Sequence, residues 1–471
     1  MNLDMNFIAL DITLLVLFCI FVGIFLYLKR HNLQREGLMY LYRTKLGLIL
    51  IEKTSKKYAK ILRPLQYIVI ISGFILMIVM FWLLIQTLFT YLDQPADSPI
   101  SRVPAVFPLI PYFPQLFNLD SFFPPFYFIY FIIAIAIVAV SHEFAHGIFA
   151  RLNKIRILST GFAFLGPFLG AFVEQDDKQM WKAKKVPQMA ILAAGTFANV
   201  VMTILFTILL IIFFKLAFIP AGFMFNTYAT SVVNIDDINT VNNISIQEFK
   251  NLNITSSDLI TLSAGNKIYF ANPVFLSYAI QNNASRALVY DDAPAVRSGL
   301  RGAITDIDGI KITSVYDLQQ NLAQHKPGDK ININTISSNK TERSYEITLG
   351  DNEGKAFLGI GSIPYDRKGF FASFYKLFMK VKDPNTYYTS KIGEFGQFFY
   401  DLIWWIVIIN ILVALFNMFP AGILDGGRFL LLAIWGITGN KRHGEIALKI
   451  TTWILLAVIA IMMIKWVLVF F

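Results

Sequence analysis

The sequence predicts a polytopic α-helical membrane protein with one soluble α+β insertion, and three observations predict it. Of the 471 residues 56% are hydrophobic and only 15% charged, whereas soluble domains are about half apolar and about a quarter charged. The apolar residues gather into about six runs, each near the ~20 residues that a helix needs to cross a bilayer. A long polar segment, Asn226–Lys391, separates the fourth run from the fifth and alternates short β-like runs with turn residues, which is the pattern of a separate soluble domain.

The spans are read in order as Ile8–Leu28, Gln66–Tyr91, Phe126–Ala150, Val186–Phe218, Asp401–Phe419 and Ile446–Phe470. The first lacks a basic start and a small-residue cleavage site, so it reads as a retained anchor. A shorter apolar piece, Phe429–Ile437, cannot cross alone and reads as a half-helix packed in the bundle. These spans divide the chain into an anchor with a basic loop (1–64), a first membrane part (65–225), the soluble insertion (226–395) and a second membrane part (396–471).

Basic residues set the expected orientation. The Lys29–Arg63 loop has ten Lys and Arg against two acidic residues, which marks it as cytoplasmic. Alternation from there puts Leu92–Pro125 and the soluble insertion outside. It returns Arg151, Lys154, Arg156, Lys182, Lys184, Lys185, Arg428, Lys441 and Arg442 to the cytoplasmic side. The net charge of +10 is therefore explained by membrane topology, and no nucleic-acid partner is expected. Four N-x-Ser/Thr sequons, at Asn243, Asn253, Asn283 and Asn339, all fall in the segment read as outside. The single cysteine, Cys19, excludes an intrachain disulfide framework or cysteine metal cluster.

The chemistry begins at the end of the third span, in Ser141-His142-Glu143-Phe144-Ala145-His146. Residues four apart share a helix face, so the two imidazoles can grip one zinc ion, with Glu143 beside them as general base. Such a polar cluster at the end of an apolar span is expensive and is kept for function. A catalytic zinc needs a third protein ligand. His31, His325 and His443, the rest of the five histidines, lie in loops or in the soluble segment. Asp425 follows the fifth span and falls at the same expected depth as His142, beyond a helix break at Pro420. Taken alone it would read as the cap of the half-helix. Beside the His-Glu-x-x-His it reads as the third ligand.

The paired motifs His142-Glu143-x-x-His146 and Asn417-x-x-Pro420-x-x-x-Leu424-Asp425-Gly426 resemble those of the site-2 protease family of intramembrane zinc metalloproteases. Gly195-Thr196-Phe197-Ala198-Asn199 resembles the family's Gly-x-x-x-Asn element, with Thr196 where Pro is commoner. Asn199 reads as a packing residue. Gly161–Glu174 resembles the family's membrane-associated β-hairpin. The soluble insertion resembles its extracytoplasmic PDZ domain, best over Ala293–Leu300, Ile304–Gly309 and Lys326–Asp329, with Asn226–Asn283 as an insertion into it. The resemblance covers most of 126–220 and 286–430 and is weak for the first two spans and the last.

It implies a zinc-dependent endopeptidase, with one Zn2+ per chain on His142, His146 and Asp425. Its substrates are transmembrane proteins in the bilayer, cut beforehand by another protease, and its active site lies near the cytoplasmic side. Zinc activates water, Glu143 takes the proton, and Asn417 is the candidate second donor to the oxyanion. Two alternatives are a different membrane zinc protease completed by a later Glu, and an inactive adaptor that binds partners through its PDZ-like domain. The Leu-Asp-Gly motif argues against the first and the intact Glu143 against the second. The residues themselves say one thing more. Gly161–Glu174 is too short to span and too Gly-rich for a stable helix. It reads as a short hairpin around Gly166-Pro167, whose exposed edge can pair with an unwound substrate.

Overall fold

The computed structural model describes the chain except residues 1, 94–102, 105–108, 118, 120–122, 167, 250–257, 338–339, 363–380, 423 and 470–471, and the side chains of 2–6. Asn253, Asn339, Pro167 and much of Leu92–Pro125 therefore lie outside the described residues. The chain forms two compact units, one of Met1–Phe213 with Gln397–Phe471, the other of Phe214–Gly396.

The first unit is helical, and the six helices among the described residues that are long and apolar enough to cross a membrane lie where the sequence places the spans. They are α1 (Asn2–Lys29), α3 (Ala59–Asp93), α4 (Phe128–Leu152), α6 (Lys185–Ala217), α7 (Glu394–Asn417) and α9 (Lys441–Leu468). Between them run the short helices α2 (Leu48–Lys57), α5 (Asp177–Lys182) and α8 (Asp425–Thr438). At ~1.5 Å per residue, the 14 residues of α8 fall well short of a ~30 Å hydrocarbon core. This is the expected half-helix, begun four residues earlier than its apolar run.

Two arrangements fix α4. At its start the exposed N–H groups of a helix need acceptors, and its own N-cap, Tyr127, offers no side-chain bond. Asp11 of α1 supplies them instead. Its carboxylate accepts from Phe128 N at 2.7 Å and Ile129 N at 3.0 Å, and from the Tyr112 hydroxyl. At its other end α4 enters a core in which Val69 and Leu76 of α3, Phe149, Ile191 of α6, Met418 and Phe429 of α8 are all buried.

A four-stranded antiparallel sheet lies beside α4. The expected hairpin is β3 (Ile157–Leu165) with β4 (Phe168–Gln175). Two more strands extend it, β1 (Leu33–Glu36) and β2 (Met39–Thr44), in the order β1-β2-β3-β4. Both come from the basic loop that the sequence reads only as a topology signal. Gly166 stands in the left-handed region at φ 57 between Leu165 and Phe168, which are paired in the register. Arg43 of β2 reaches across β3 to grip Glu174 of β4, at 2.8 Å from Nε and 3.1 Å from Nη2, and Ser159 donates to the same carboxylate.

The second unit holds two hydrophobic cores. Its first strand, β5 (Phe218–Phe223), belongs to the second core. The first core lies on a sheet of β6 (Thr230–Asn234), β7 (Ile238–Val241), β8 (Ile260–Ala264), β9 (Lys267–Ala271) and β10 (Arg286–Asp291), in the order β6-β10-β9-β8-β7. It includes Val233, Val241, Leu262, Leu276 and Val289. The segment 226–283, expected as an insertion, thus supplies most of a folded sheet, and β10 joins it. The second core lies on β11 (Ala303–Ile307), β12 (Lys330–Ile336), β13 (Glu342–Thr348) and β14 (Thr386–Ser390), in the order β13-β12-β11-β5-β14. It includes Phe223, Leu300, Ile304, Ile333, Ile347 and Leu358. The chain enters the unit along β5 and leaves along β14, which pair antiparallel from Phe223↔Thr386 to Phe218↔Ser390.

Candidate metal centre

Helical spacing puts His142 and His146 on one face of α4, and both are buried. The third donor arrives by a chain break. After Asn417 the helix ends, and residues 418–422 and 424 are non-helical before α8 starts. Backbone groups freed at membrane depth must find other partners. The Pro420 carbonyl finds one in the Thr451 hydroxyl of α9, at 2.8 Å. A Cβ on Gly426 would stand 2.3 Å from the Met418 carbonyl oxygen, so the tight return requires glycine after Asp425. Asp425 is the first residue of α8, and the N-cap is Leu424. Its carboxylate is accordingly directed at the histidines and does not cap the helix.

The three donor atoms form a small triangle. His142 Nε2 and His146 Nε2 are 3.0 Å apart, and Asp425 Oδ2 is 3.4 Å from the first and 3.3 Å from the second. Three ligands at ~2.0–2.1 Å on a tetrahedral zinc stand ~3.3 Å apart. The donor set and its spacing therefore fit zinc. They are the one group of three or more His, Cys, Asp or Glu among the described residues that could hold a metal ion. Asp425 remains partly exposed, so the triangle has an accessible side.

The second ring nitrogens are also held. His146 Nδ1 is 2.7 Å from the Ile191 carbonyl oxygen. A carbonyl only accepts, so Nδ1 carries the hydrogen and Nε2 keeps its lone pair for a metal. His142 Nδ1 is 3.1 Å from the carboxamide of Asn199, whose other end is 3.4 Å from Ser141 Oγ. Asn199 is fully buried. One turn earlier on α6, a Cβ on Gly195 would sit 2.4 Å from His146 Nε2 and 2.6 Å from His142 Nε2. The Gly195-x-x-x-Asn199 element thus leaves room for both imidazoles and contacts one of them. The sequence reading missed this contact of Asn199, and the available signal was an amide inside an apolar span.

Glu143 is next to His142 and points to the sheet, where its Oε2 accepts from Val173 N of β4 at 2.9 Å. Asn417 closes α7 half-buried, and its side chain makes no hydrogen bond among the described residues. The structure brings His142, His146 and Asp425 together, with Glu143 adjoining. Among the described residues it shows no hydrogen bond between Asn417 and them.

Comparison with known proteins points the same way. The model of peptidase family M50 matches residues 130–460, a stretch that holds all five of these residues and leaves α1, α2 and α3 outside. An uncharacterized protein of Methanocaldococcus jannaschii is 28% identical over 435 residues, covering 90% of this chain and 85% of that protein.

Proposed function

Because the chain belongs to peptidase family M50, whose proteases are zinc-dependent, we propose that it is an intramembrane endopeptidase that hydrolyses peptide bonds within transmembrane segments of other proteins. The observation that carries this reading is the triangle of His142, His146 and Asp425 donors at 3.0–3.4 Å, at the end of a helix apolar enough to span a membrane.

In this reading the three residues hold one zinc ion, which supplies Lewis acidity to activate water and polarise the scissile carbonyl. Glu143 takes a proton from the water and passes it to the departing amide nitrogen. Asn417, whose carboxamide has no other bond among the described residues, donates to the developing oxyanion. Asn199 and the Ile191 carbonyl keep the imidazoles in the tautomer that binds metal. The free edge of β4 takes the substrate as an added strand. That supplies main-chain bonds which an unwound helix cannot find in lipid. Substrates reach the site after a first cut by another protease. The second unit acts as a PDZ-like filter on the extracytoplasmic side, and the metal centre lies toward the cytoplasm.

The test uses the full chain in detergent. Purified protein should hold about one zinc per chain and cleave a model transmembrane peptide. Glu143→Gln should keep the zinc and lose turnover, because a base is not a ligand, whereas Asp425→Ala should lose metal. Undiminished cleavage by Glu143→Gln would refute the mechanism. A metal-free wild type that binds partners without cutting them would favour the adaptor.

A further inference from the structure

The hydrogen bond from Val173 N to Glu143 Oε2 joins the proposed base to the strand proposed to receive substrate. Among the described residues β4 pairs only with β3 and forms one edge of the sheet. Its register runs without a break from Leu165↔Phe168 to Thr160↔Val173. Residues of an antiparallel strand turn alternately to one neighbour and the other. Val173 turns its N–H away from β3, toward Glu143. Phe168, Gly170 and Phe172 therefore bond to β3, while Leu169, Ala171 and Val173 present their N–H and C=O groups at the free edge. The Val173 N–H is one of the donors that an added strand would use, and Glu143 already occupies it. Gly147, one turn on from Glu143 in α4, lies in a tight place between α2 and β4, where a Cβ would meet Ile51 Cδ1 at 2.9 Å and Val173 Cγ1 at 3.3 Å.

We propose that the Val173 N–H is a shared donor, bonded to the Glu143 carboxylate and surrendered to a substrate carbonyl when an unwound segment pairs with β4. Pairing then frees the carboxylate for proton transfer. The inference rests on the intramembrane protease reading. It makes activation of the base depend on an extended substrate, because a helical segment keeps its carbonyls in its own i→i+4 bonds and cannot compete.

The test compares three zinc-loaded, full-length inactive proteins, Glu143→Gln, Glu143→Ala and Glu143→Ala/Val173→Pro, for affinity toward the same transmembrane peptide. Proline at Val173 deletes an outward donor together with the valine side chain, and an edge strand tolerates proline there. Glu143→Ala should bind about tenfold more tightly than the double variant, the worth of roughly one hydrogen bond, and more tightly than Glu143→Gln, which keeps a competing acceptor. Equal affinity of Glu143→Ala and the double variant overturns the proposal, since Glu143 would then be a fixed partner of Val173 whose donor substrate never uses.

A second measurement needs no proline. Hydrogen exchange at the Val173 amide of the free protein should quicken in Glu143→Ala while Ala171 is unchanged, and identical exchange at Val173 also overturns the proposal. Wild-type cleavage of the same peptide is followed in parallel. Cleavage with equal affinities refutes only the sharing, whereas tight binding without any cleavage refutes the protease reading itself.

Discussion

The proposed metal ligands depend on two residues that donate no metal-binding atom. Gly195 vacates the space that His142 and His146 fill, and Asn199 contacts His142 Nδ1. An imidazole that offers Nε2 to zinc carries its hydrogen on Nδ1 and needs an acceptor there. That requirement selects the amide orientation with Oδ1 toward the ring and the NH2 group toward Ser141. Partners of this kind are worth about tenfold to a hundredfold in metal affinity. Asn199→Ala should weaken zinc binding by about that factor, and Asn199→Asp, which keeps an acceptor, should restore most of it. Chelator competition measures both, and equal affinities for wild type and Asn199→Ala would reduce Asn199 to packing. That His142, His146 and Asp425 come together was legible in the sequence, because metal chemistry constrains spacing and residue type together. Asn199 and Asp11 were not, because a single polar residue in an apolar run does not say which neighbour it faces. Asp11 caps a helix more than a hundred residues away in sequence, and only tertiary structure pairs them.

At the scale of elements, the hairpin was legible from its Gly-Pro turn and its small and aromatic residues, but the sheet was not. Leu33–Glu36 is mostly polar, and Met39–Thr44 lies in a loop whose charge density reads first as a topology signal. The cross-strand grip of Arg43 on Glu174 joins those strands to β4, and it makes the sheet sensitive to acid. The Arg43 guanidinium, by hydrogen bonding, holds the Glu174 carboxyl below its ordinary value. A carboxyl with its folded pKa below its unfolded one adds stability that is complete above the unfolded value and is lost as pH falls through the folded one. The Tm difference between wild type and Glu174→Gln should therefore be present at pH 7 and shrink below about pH 4. A difference that stays constant across that range would mean the ion pair contributes nothing through its charge.

At the scale of the whole molecule, the sequence located one soluble insertion between membrane parts, and the structure resolves two cores within it. The reason lies in register and packing. Ala287 and Val289 of β10 belong to the first core, whereas Ala295 and Leu300, a few residues on, belong to the second. Nothing in composition marks that boundary. Its position decides how the proposed filter can be tested. Removing a segment that begins at Arg286, where the family resemblance resumes, would take β10 from between β6 and β9 and spoil the first sheet. Removing Thr230–Asp291 instead excises that sheet whole. Its ends meet, since Thr230 pairs with Tyr290 and Asp291 N donates to the Ala229 carbonyl at 2.8 Å, so a short Gly-Ser link can close the gap. The second core keeps all its buried residues from Phe223 through Leu358. The excised protein should therefore fold, hold zinc as wild type does, and cleave a bare transmembrane peptide at an undiminished rate. If the filter resides in the second core, where the PDZ-like resemblance is best, discrimination against substrates with large outer domains should also survive. Cleavage of matched substrates with and without such a domain measures this, and loss of the discrimination would assign the filter to the excised sheet.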